Sequence, residues 1–324
     1  MLILPLITVV LSLAVLVISA DKFIHGAASI ASKLEVSPLI IGLLILGFGT
    51  SAPEILVSVF AALDEKPALA FGNALGSNIA NIAMVLGATA LVNPITIKSA
   101  AIRREFILFL ASIALCYVLI YDFDLSRFDG IMLIVLLIIS LWWMVRMSKD
   151  SRTDHLQEEV EHDKDLVEFK KLSTAIIVTV IALIFLLVSS KTLVWAAAKI
   201  AGILGLSDLI IGLTIVAIGT SLPELAASIV AAVRKEHDLV IGNIIGSNIF
   251  NLLAVIGVSG TIKPFTILDI AIKRDFLIMT LLSVLLFAMI FLKKLELTIL
   301  SRLSGFILLT SYILYLGLLS YQTI

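Results

Sequence analysis

The sequence has few charged residues and almost no cysteine. Only 15% of its 324 residues are charged and 60% are hydrophobic, whereas about a quarter of a soluble domain is charged. This composition excludes an ordinary soluble protein and indicates an integral membrane protein. The single Cys116 lies within an apolar run, which excludes a disulfide framework and a cysteine-based metal site. The sequence also lacks a nucleotide-binding loop and a nucleophile–base pair, so we expect neither an ATP-driven pump nor an enzyme.

Ten apolar runs follow one another along the chain. Each is long enough for a helix that crosses a hydrocarbon core of about 30 Å. We therefore predict an all-α polytopic membrane protein with ten transmembrane helices. The first run lacks a basic segment in front of it, which favours a retained helix over a signal peptide. The runs are 3–24, 38–63, 68–92, 100–121, 128–147, 172–200, 208–233, 239–260, 268–292 and 297–321.

One long hydrophilic segment, residues 148–171, divides the chain into two halves. We predict a cytoplasmic linker, because more Lys and Arg gather on its side of the membrane than on the other. Both termini then lie outside. Four linker residues have the spacing of a metal site on one helical face, but charged segments of this kind are mostly solvated, so we assign no site to them. They are His155, Glu158, Glu159 and His162.

The two halves contain the same block of motifs. Residues 37–81 and 207–251 align without a gap, and 23 of the 45 positions are identical at a constant offset of 170. We therefore predict one five-helix repeat at 1–147 and a second at 172–324. A unit with an odd number of spans reverses its direction in the next copy, so the repeats are inverted. Inverted repeats are typical of secondary transporters, whose sites lie at the midplane on interrupted helices. We expect such interruptions in the second, third, seventh and eighth helices.

The segment GTSAPE at 49–54, repeated as GTSLPE at 219–224, places a proline and a carboxylate inside an apolar span. Each proline lacks an N–H, so carbonyls one turn earlier lose their helical donors. Unpaired carbonyls are costly in lipid unless a cation or another donor replaces the lost hydrogen bond. An intramembrane glutamate is a functional residue by default. We therefore predict a cation site that uses the oxygens of Glu54, Glu224, Thr50, Ser51, Thr220 and Ser221.

A second motif adds oxygen atoms without charge. GNALGSNIAN at 72–81 and GNIIGSNIFN at 242–251 place amide and hydroxyl side chains four residues apart, and such residues share a helix face. For the first amide of each motif, Asn73 and Asn243, helix-to-helix hydrogen bonding and ligation are both open. Hard oxygen donors without histidine or sulfur favour Ca²⁺ or Na⁺ over zinc, copper or iron. The other candidates are Ser77, Asn81, Ser247 and Asn251.

Two buried carboxylates neutralise one Ca²⁺ or are shared among several Na⁺, but they do not balance the charge of both kinds of ion at once. Competition for the same charges would couple the two ions by mutual exclusion, which is the behaviour of an exchanger. The alternatives from a different class are a cation channel and a non-transporting calcium-binding membrane protein. A channel would usually need a continuous polar pore or an oligomeric filter, whereas these polar groups gather at one depth.

The paired motifs resemble the alpha repeats of the sodium/calcium exchanger family, within the calcium/cation antiporter superfamily, in the form of a prokaryotic member. The likeness rests on GTSAPE with GNALGSNIAN and on GTSLPE with GNIIGSNIFN, and the five-plus-five layout agrees over the whole chain. It implies exchange of several Na⁺ for one Ca²⁺ by alternating access. It implies that Ca²⁺ is bound by Glu54, Glu224 and the Thr50 and Thr220 carbonyls. It further implies sodium sites on Gly47, Thr50, Ser51 and Ser77 in one half and on Ala217, Thr220, Ser221 and Ser247 in the other.

Potassium-dependent relatives and some prokaryotic ones carry Asp at the position of Asn251, whereas this chain has the neutral pair Asn81 and Asn251. The resemblance therefore favours potassium-independent, electrogenic exchange. Proton coupling stays open, because buried glutamates also take up protons. The expected partners are Ca²⁺ and Na⁺ as transported substrates and the lipid bilayer. No resident cofactor, nucleic acid or protein partner is implied.

Overall fold

The computed structural model describes residues 2–34, 36–150, 169, 171–204, 217–291 and 297–323. Most of these residues are helical. Most of the predicted linker at 148–171, and residues 207–216 of the second motif block, lie outside the described residues.

The described chain contains twelve helices and four short strands. The helices are α1 (Ile3–Leu34), α2 (Pro38–Thr50), α3 (Ala52–Leu63), α4 (Pro67–Val92), α5 (Ser99–Leu119), α6 (Arg127–Asp150), α7 (Leu172–Ile203), α8 (Ala217–Thr220), α9 (Leu222–Val233), α10 (His237–Ile262), α11 (Ala271–Phe291) and α12 (Arg302–Thr323). The strands are β1 (Ile95–Lys98), β2 (Asp124–Leu125), β3 (Phe265–Thr266) and β4 (Leu297–Leu300).

Seven of the described helices are long and apolar enough to cross a membrane, and the bent pair α2–α3 raises the number to eight. The other two predicted spans correspond to α5, which carries three charged residues near its start, and to α8 with the shorter apolar helix α9. The multi-pass helical architecture predicted from the sequence is therefore present. The count of ten spans stays a prediction.

The interruptions expected in the second and seventh helices are present. Ser51 separates α2 from α3, whose axes differ by 43°, and Ser221 separates α8 from α9. The expectation for the third and eighth helices is wrong, because α4 and α10 run without a break. Each contains a π-helical segment instead, at Ala80–Val85 and Asn251–Val255. A π-helical bulge changes the register of the side chains while the helix continues.

The helices α4 and α10 form the centre of the molecule. The most apolar stretch of α10 is 100% buried and that of α4 is 78% buried, against at most 33% for the other uninterrupted spans. Glycine contacts bring α2 close to α10: a Cβ added at Gly242 would lie 2.5 Å from the Leu39 carbonyl, and one at Gly47 would lie 2.8 Å from Gly246. These contacts advance in the same direction along both helices, so α2 and α10 are parallel.

The last helix of each half packs on the central helix of the other half. α12 crosses α4 where Gly305 meets Gly87, and α6 crosses α10 where Gly130 meets Gly257. Two arginines make matching contacts with the helix ends of the opposite half. Arg302 Nε donates to the Leu91 carbonyl at 3.2 Å, and Arg127 Nε donates to the Thr261 carbonyl at 3.1 Å. The two halves therefore hold each other by matching contacts.

The strands also pair between the two halves. β1 of the first half pairs antiparallel with β4 of the second, and β2 pairs antiparallel with β3. Residues 297–300, predicted as the start of the tenth helix, are therefore a strand, and the helix begins at Arg302. The long-range partner at Ile95–Lys98 supplies the ladder hydrogen bonds that the local apolar pattern does not reveal.

We predict that alanine at two glycines of α12 has different effects on thermal stability. A Cβ at Gly305 would lie 2.6 Å from the Gly87 carbonyl, whereas a Cβ at Gly317 meets nothing within 4 Å. Gly305→Ala should lower the thermal unfolding temperature in detergent, because overpacking costs about 1–3 kcal/mol. Gly317→Ala should leave it unchanged or raise it slightly. Equal shifts for the two variants would show that the α4–α12 contact does not limit stability.

Candidate functional site

The two breaks place a glutamate in the first turn of a helix. Ser51 and Ser221 leave the helical conformation, with φ and ψ of −85° and 0° and of −93° and 9°. The following helices α3 and α9 carry proline in their first turn, a position where the missing N–H costs nothing. Glu54 and Glu224 stand in the same turns. Helix N-termini carry partial positive charge, so both carboxylates lie where a negative charge is favoured.

The first break also leaves a backbone carbonyl without a helical donor. The backbone hydrogen bonds across the first break join the Ser51 N–H to the Gly47 carbonyl at 3.2 Å and the Ile55 N–H to the Ser51 carbonyl at 3.1 Å. The Thr50 carbonyl accepts no backbone hydrogen bond from the described residues of α3. At the second break, the Leu225 N–H donates to the Ser221 carbonyl at 3.0 Å. The predicted loss of a helical donor is therefore observed at Thr50, at the first break.

Both carboxylates are buried and unpaired. Glu54 is 2% exposed and Glu224 is 1% exposed. No described donor meets either carboxylate with hydrogen-bond geometry, and no described Lys, Arg or His forms an ion pair with them. They are close enough to each other for their charges to repel. Burying unpaired charge is costly, so this centre requires a cation or protons.

The Thr50 side chain lies between the first break and α10. The Thr50 hydroxyl lies near Glu224, but it donates to the Leu46 carbonyl at 2.9 Å, which leaves no proton for that carboxylate. The same oxygen lies 3.2 Å from Asn243 Oδ1 and 3.3 Å from the Ser247 hydroxyl. The side chain of Thr50 is thus engaged in helix contacts, while its carbonyl stays available.

The first amide of the second motif differs between the two halves. Asn243 is fully buried and donates to the Ser228 hydroxyl at 3.0 Å and to the Glu224 carbonyl at 3.4 Å. Asn73, its equivalent in α4, is half-buried, and its Nδ2 has no partner among the described residues. Of the two interpretations left open by the sequence, Asn243 fits helix-to-helix hydrogen bonding.

Several other predicted residues present buried polar atoms that no described residue satisfies. They are the hydroxyls of Ser51 and Ser221, Oδ1 of Asn81 and both side-chain polar atoms of Asn251. Such orphaned oxygens, in addition to the carboxylates, are what a desolvated cation uses as ligands.

The remaining predicted residues take other positions. Ser77 is buried in α4, and Ser247 donates to the Gly47 carbonyl at 3.3 Å. Gly47 thereby accepts two protein hydrogen bonds, from Ser247 and from Ser51. Thr220 is half-buried at the end of α8, and Ala217 begins that helix. No group of three or more His, Cys, Asp or Glu capable of holding a metal occurs among the described residues.

Sequence reasoning missed Asn78 and Asn248, two of the amides that link α4 to α10. Asn78 Nδ2 donates to the Asn248 carbonyl at 3.3 Å, and Asn81 Nδ2 donates to Asn248 Oδ1 at 3.4 Å. Asn78 and Asn248 are fully buried. They are identical in the two motif copies, and that identity was the available signal. The four-residue spacing used in the sequence selected only the neighbouring positions.

The fold and the site define an α-helical membrane transporter, in which two broken helices bring buried carboxylates beside two uninterrupted central helices. The sequence matches the family model for "Sodium/calcium exchanger protein" over residues 4–146 and 174–321. The chain therefore belongs to the sodium/calcium exchanger family.

Three relatives cover most of the chain. The putative antiporter CaxA of Alkalimonas amylolytica is 45% identical over 96% of this chain and 97% of its own. The inner membrane protein YrbG of Escherichia coli is 39% identical over 85% of each chain. The sodium/calcium exchanger MaX1 of Methanosarcina acetivorans is 27% identical over 85% of this chain and 88% of its own.

A solved structure of the sodium-calcium exchanger NCX_Mj has a similar fold. The crystal was soaked with zero Na⁺ and Ca²⁺, and the structure matches with a TM-score of 0.83 and 32% identity. The match covers 98% of this chain and 100% of the other. The family assignment thus agrees at the level of sequence and of fold.

We predict that the two equivalent asparagines differ in their contribution to stability. Asn243→Ala should cost about 1–3 kcal/mol, because the Ser228 hydroxyl and the Glu224 carbonyl lose the donor that Asn243 supplies. Asn73→Ala, which removes no hydrogen bond to a described residue, should cost much less. Thermal unfolding in detergent without added Ca²⁺ or Na⁺ measures both. A shift for Asn73→Ala as large as that for Asn243→Ala would contradict this assignment.

Proposed function

We propose that this protein is a secondary active antiporter that exchanges Na⁺ for Ca²⁺ across the membrane. The observation that carries the proposal is the pair of buried carboxylates, Glu54 and Glu224, with no basic side chain paired to either among the described residues. The family, the relative MaX1 and the NCX_Mj structure support this choice of ions.

The chemistry of the donor set fits Ca²⁺ as a transported substrate. Two carboxylates supply four oxygens, and the Thr50 and Thr220 carbonyls add two, which gives six. Ca²⁺ takes about six to eight oxygen ligands. The charges of the two carboxylates balance the divalent ion. Water or the unpartnered oxygens of nearby side chains would complete the shell.

Sodium would use overlapping groups. The proposed ligands are the Gly47 and Ala217 carbonyls, the same two Thr–Ser pairs and the hydroxyls of Ser77 and Ser247, with Asn81 and Asn251 nearby. Since the carboxylates serve both ions, several Na⁺ entering together would neutralise the charge that Ca²⁺ needs. Mutual exclusion then supplies the coupling without any covalent step.

The proposed architecture is ten transmembrane helices in two inverted repeats, with both termini outside and the linker 148–171 cytoplasmic. The reciprocal packing of α6 on α10 and of α12 on α4 supports two equivalent halves. Transport proceeds by alternating access, in which α1 and α7 move against a core of α2–α4 and α8–α10. The neutral pair Asn81 and Asn251 supports potassium-independent exchange, and more than two Na⁺ per Ca²⁺ makes it electrogenic.

We predict that neutralising either carboxylate abolishes exchange. Glu54→Gln and Glu224→Gln keep the side-chain size but remove one of two charges, so Na⁺-driven Ca²⁺ uptake into proteoliposomes should fall at least about tenfold. Glu65→Gln is the matched control, because Glu65 is exposed and pairs with Lys263 at 2.9 Å on the surface. Undiminished uptake in both site variants would refute the proposed site.

We predict that the driving ion is Na⁺. Liposomes loaded with Na⁺ should take up external Ca²⁺, and K⁺ on either side should change neither rate nor extent. An interior-positive potential should accelerate uptake, since net positive charge leaves with the Na⁺. Uptake that is independent of Na⁺ and lost only when a proton gradient is collapsed would favour a proton-coupled exchanger instead. Ca²⁺ flux that needs no counter-ion would indicate a channel.

A further inference from the structure

An ion pair joins α1 to the end of α9. Arg234, which follows α9, donates through Nε to Asp21 Oδ1 at 2.9 Å and through Nη2 to the same oxygen at 2.5 Å. Its Nη1 lies 3.0 Å from His25 Nε2. Asp21 and Arg234 are 36% and 28% exposed, so the pair is partly shielded from solvent. The site proposed above does not use these residues.

The loop that holds Arg234 lies at one end of the molecule, and its counterpart lies at the other. α10 begins just after residues 234–236, and it runs parallel to α2 and α3 until Lys263 meets Glu65. Residues 64–66, which connect α3 to α4, therefore lie at the far end of α10. A helix of 26 residues separates the two loops by about 39 Å.

At the offset of 170 residues, these two loops carry opposite charges at aligned positions. Asp64, Glu65 and Lys66 align with Arg234, Lys235 and Glu236, so the sign is reversed at each position. The same offset aligns Asp21 of α1 with Lys191 of α7, and the sign is reversed again. The counterpart of the observed pair Asp21–Arg234 is therefore Lys191–Asp64, which is also a pair of opposite charges.

The structure makes only the first of these two contacts. α1 packs along α9, but the described part of α7 makes no comparable contact with α3. Asp64 and Lys191 are exposed, and neither forms an ion pair with a described residue. On the α3 face, Leu56 is 56% exposed, while its equivalent Ala226 on α9 is half-buried. The two halves are similar in sequence, but the contact of α1 with α9 has no comparable equivalent between the described part of α7 and α3.

We propose that Asp21–Arg234 and Lys191–Asp64 are alternate latches, each formed in one of the two access states. The first latch holds α1 against α9 and closes one end. When α1 and α7 shift, that latch opens and Lys191 reaches Asp64, which holds α7 against α3 and closes the other end. The inference rests on the alternating access of inverted repeats proposed above, and adds the residues that set the balance between its two states.

Cysteine cross-linking in the full chain tests the latches. The lone Cys116 is buried, and Cys116→Ala provides the background. In membranes, Asp64→Cys/Lys191→Cys should form a disulfide in low yield, because the Asp21–Arg234 latch favours the other state. Adding Arg234→Gln should raise that yield roughly two- to fivefold, as expected for loss of a partly exposed ion pair. In the reverse experiment, Lys191→Gln should raise the yield of Asp21→Cys/Arg234→Cys.

Lys263→Gln is the matched control, because it removes an ion pair of similar length that joins α10 to the far loop without contacting α1 or α7. It should change neither yield. A pair at 64 and 191 that never cross-links, in any of these backgrounds, would overturn the proposal. So would a yield that rises equally with Arg234→Gln and with Lys263→Gln. If Arg234→Gln impairs insertion, Asp21→Arg/Arg234→Asp restores the pair with reversed charge and should return the yield to its starting value.

The cross-linking readout requires no ion transport, so it separates the two proposals. Opposite yield changes in a protein without Na⁺-driven Ca²⁺ uptake would support the latches and refute the assignment of ions. Normal exchange with a pair at 64 and 191 that never cross-links would keep the function and refute the latches.

Discussion

Two buried carboxylates, Glu54 and Glu224, are close enough for their charges to repel and have no basic side chain paired to either among the described residues. The rest of the architecture follows from that constraint. In a hydrocarbon environment this arrangement is tolerable only if something positive occupies it. The helix breaks contribute part of the answer, because each carboxylate lies in the first turn of a helix, where the partial positive charge of the N-terminus favours it. They do not supply a full charge. The site is therefore incomplete without its cargo, and a centre of that kind links the conformation of the protein to occupancy.

The polar groups around this centre divide into two kinds. Thr50 donates to the Leu46 carbonyl, Asn243 donates to the Ser228 hydroxyl, and Asn78 and Asn81 donate to Asn248, which joins α4 to α10. These bonds fix the helices, because buried polar groups are costly unless they are paired. Ser51, Ser221 and Asn251 retain unpartnered atoms beside them. Rigid helix contacts thus hold a set of uncommitted oxygens, which is the arrangement that an exchangeable ligand requires.

The sequence predicted the parts of this structure that depend on local chemistry. The prolines and the glutamates identified the breaks, because proline removes a specific hydrogen bond and an intramembrane carboxylate has few structural uses. The repeat identified the two halves. Prediction failed where distant partners decide the outcome. Leu297–Leu300 look like the start of a helix until Ile95–Lys98 pair with them, and α4 and α10 absorb their irregularity as π-helical segments that glycine and asparagine spacing does not foretell. The amide bridge of Asn248 likewise depends on how two distant helices meet.

The two repeats are identical in some places and opposite in others, and physical chemistry explains which positions follow which rule. The residues proposed to surround the cation, the Thr–Ser pairs and the glutamates, are the same in both copies, because a cation requires oxygen from every side. Residues that meet only a partner from the other half have no such requirement. They need complementarity, and Asp21 with Arg234 satisfies it as well as Lys191 with Asp64 would. In the proposed site, identity at the centre would let both halves bind the same ion. Because the charges are reversed at the two ends, the loop at 234–236 attracts α1 and the loop at 64–66 attracts α7. A structure with two copies of one fold can therefore be asymmetric at any moment while its two extreme states remain nearly equal in energy.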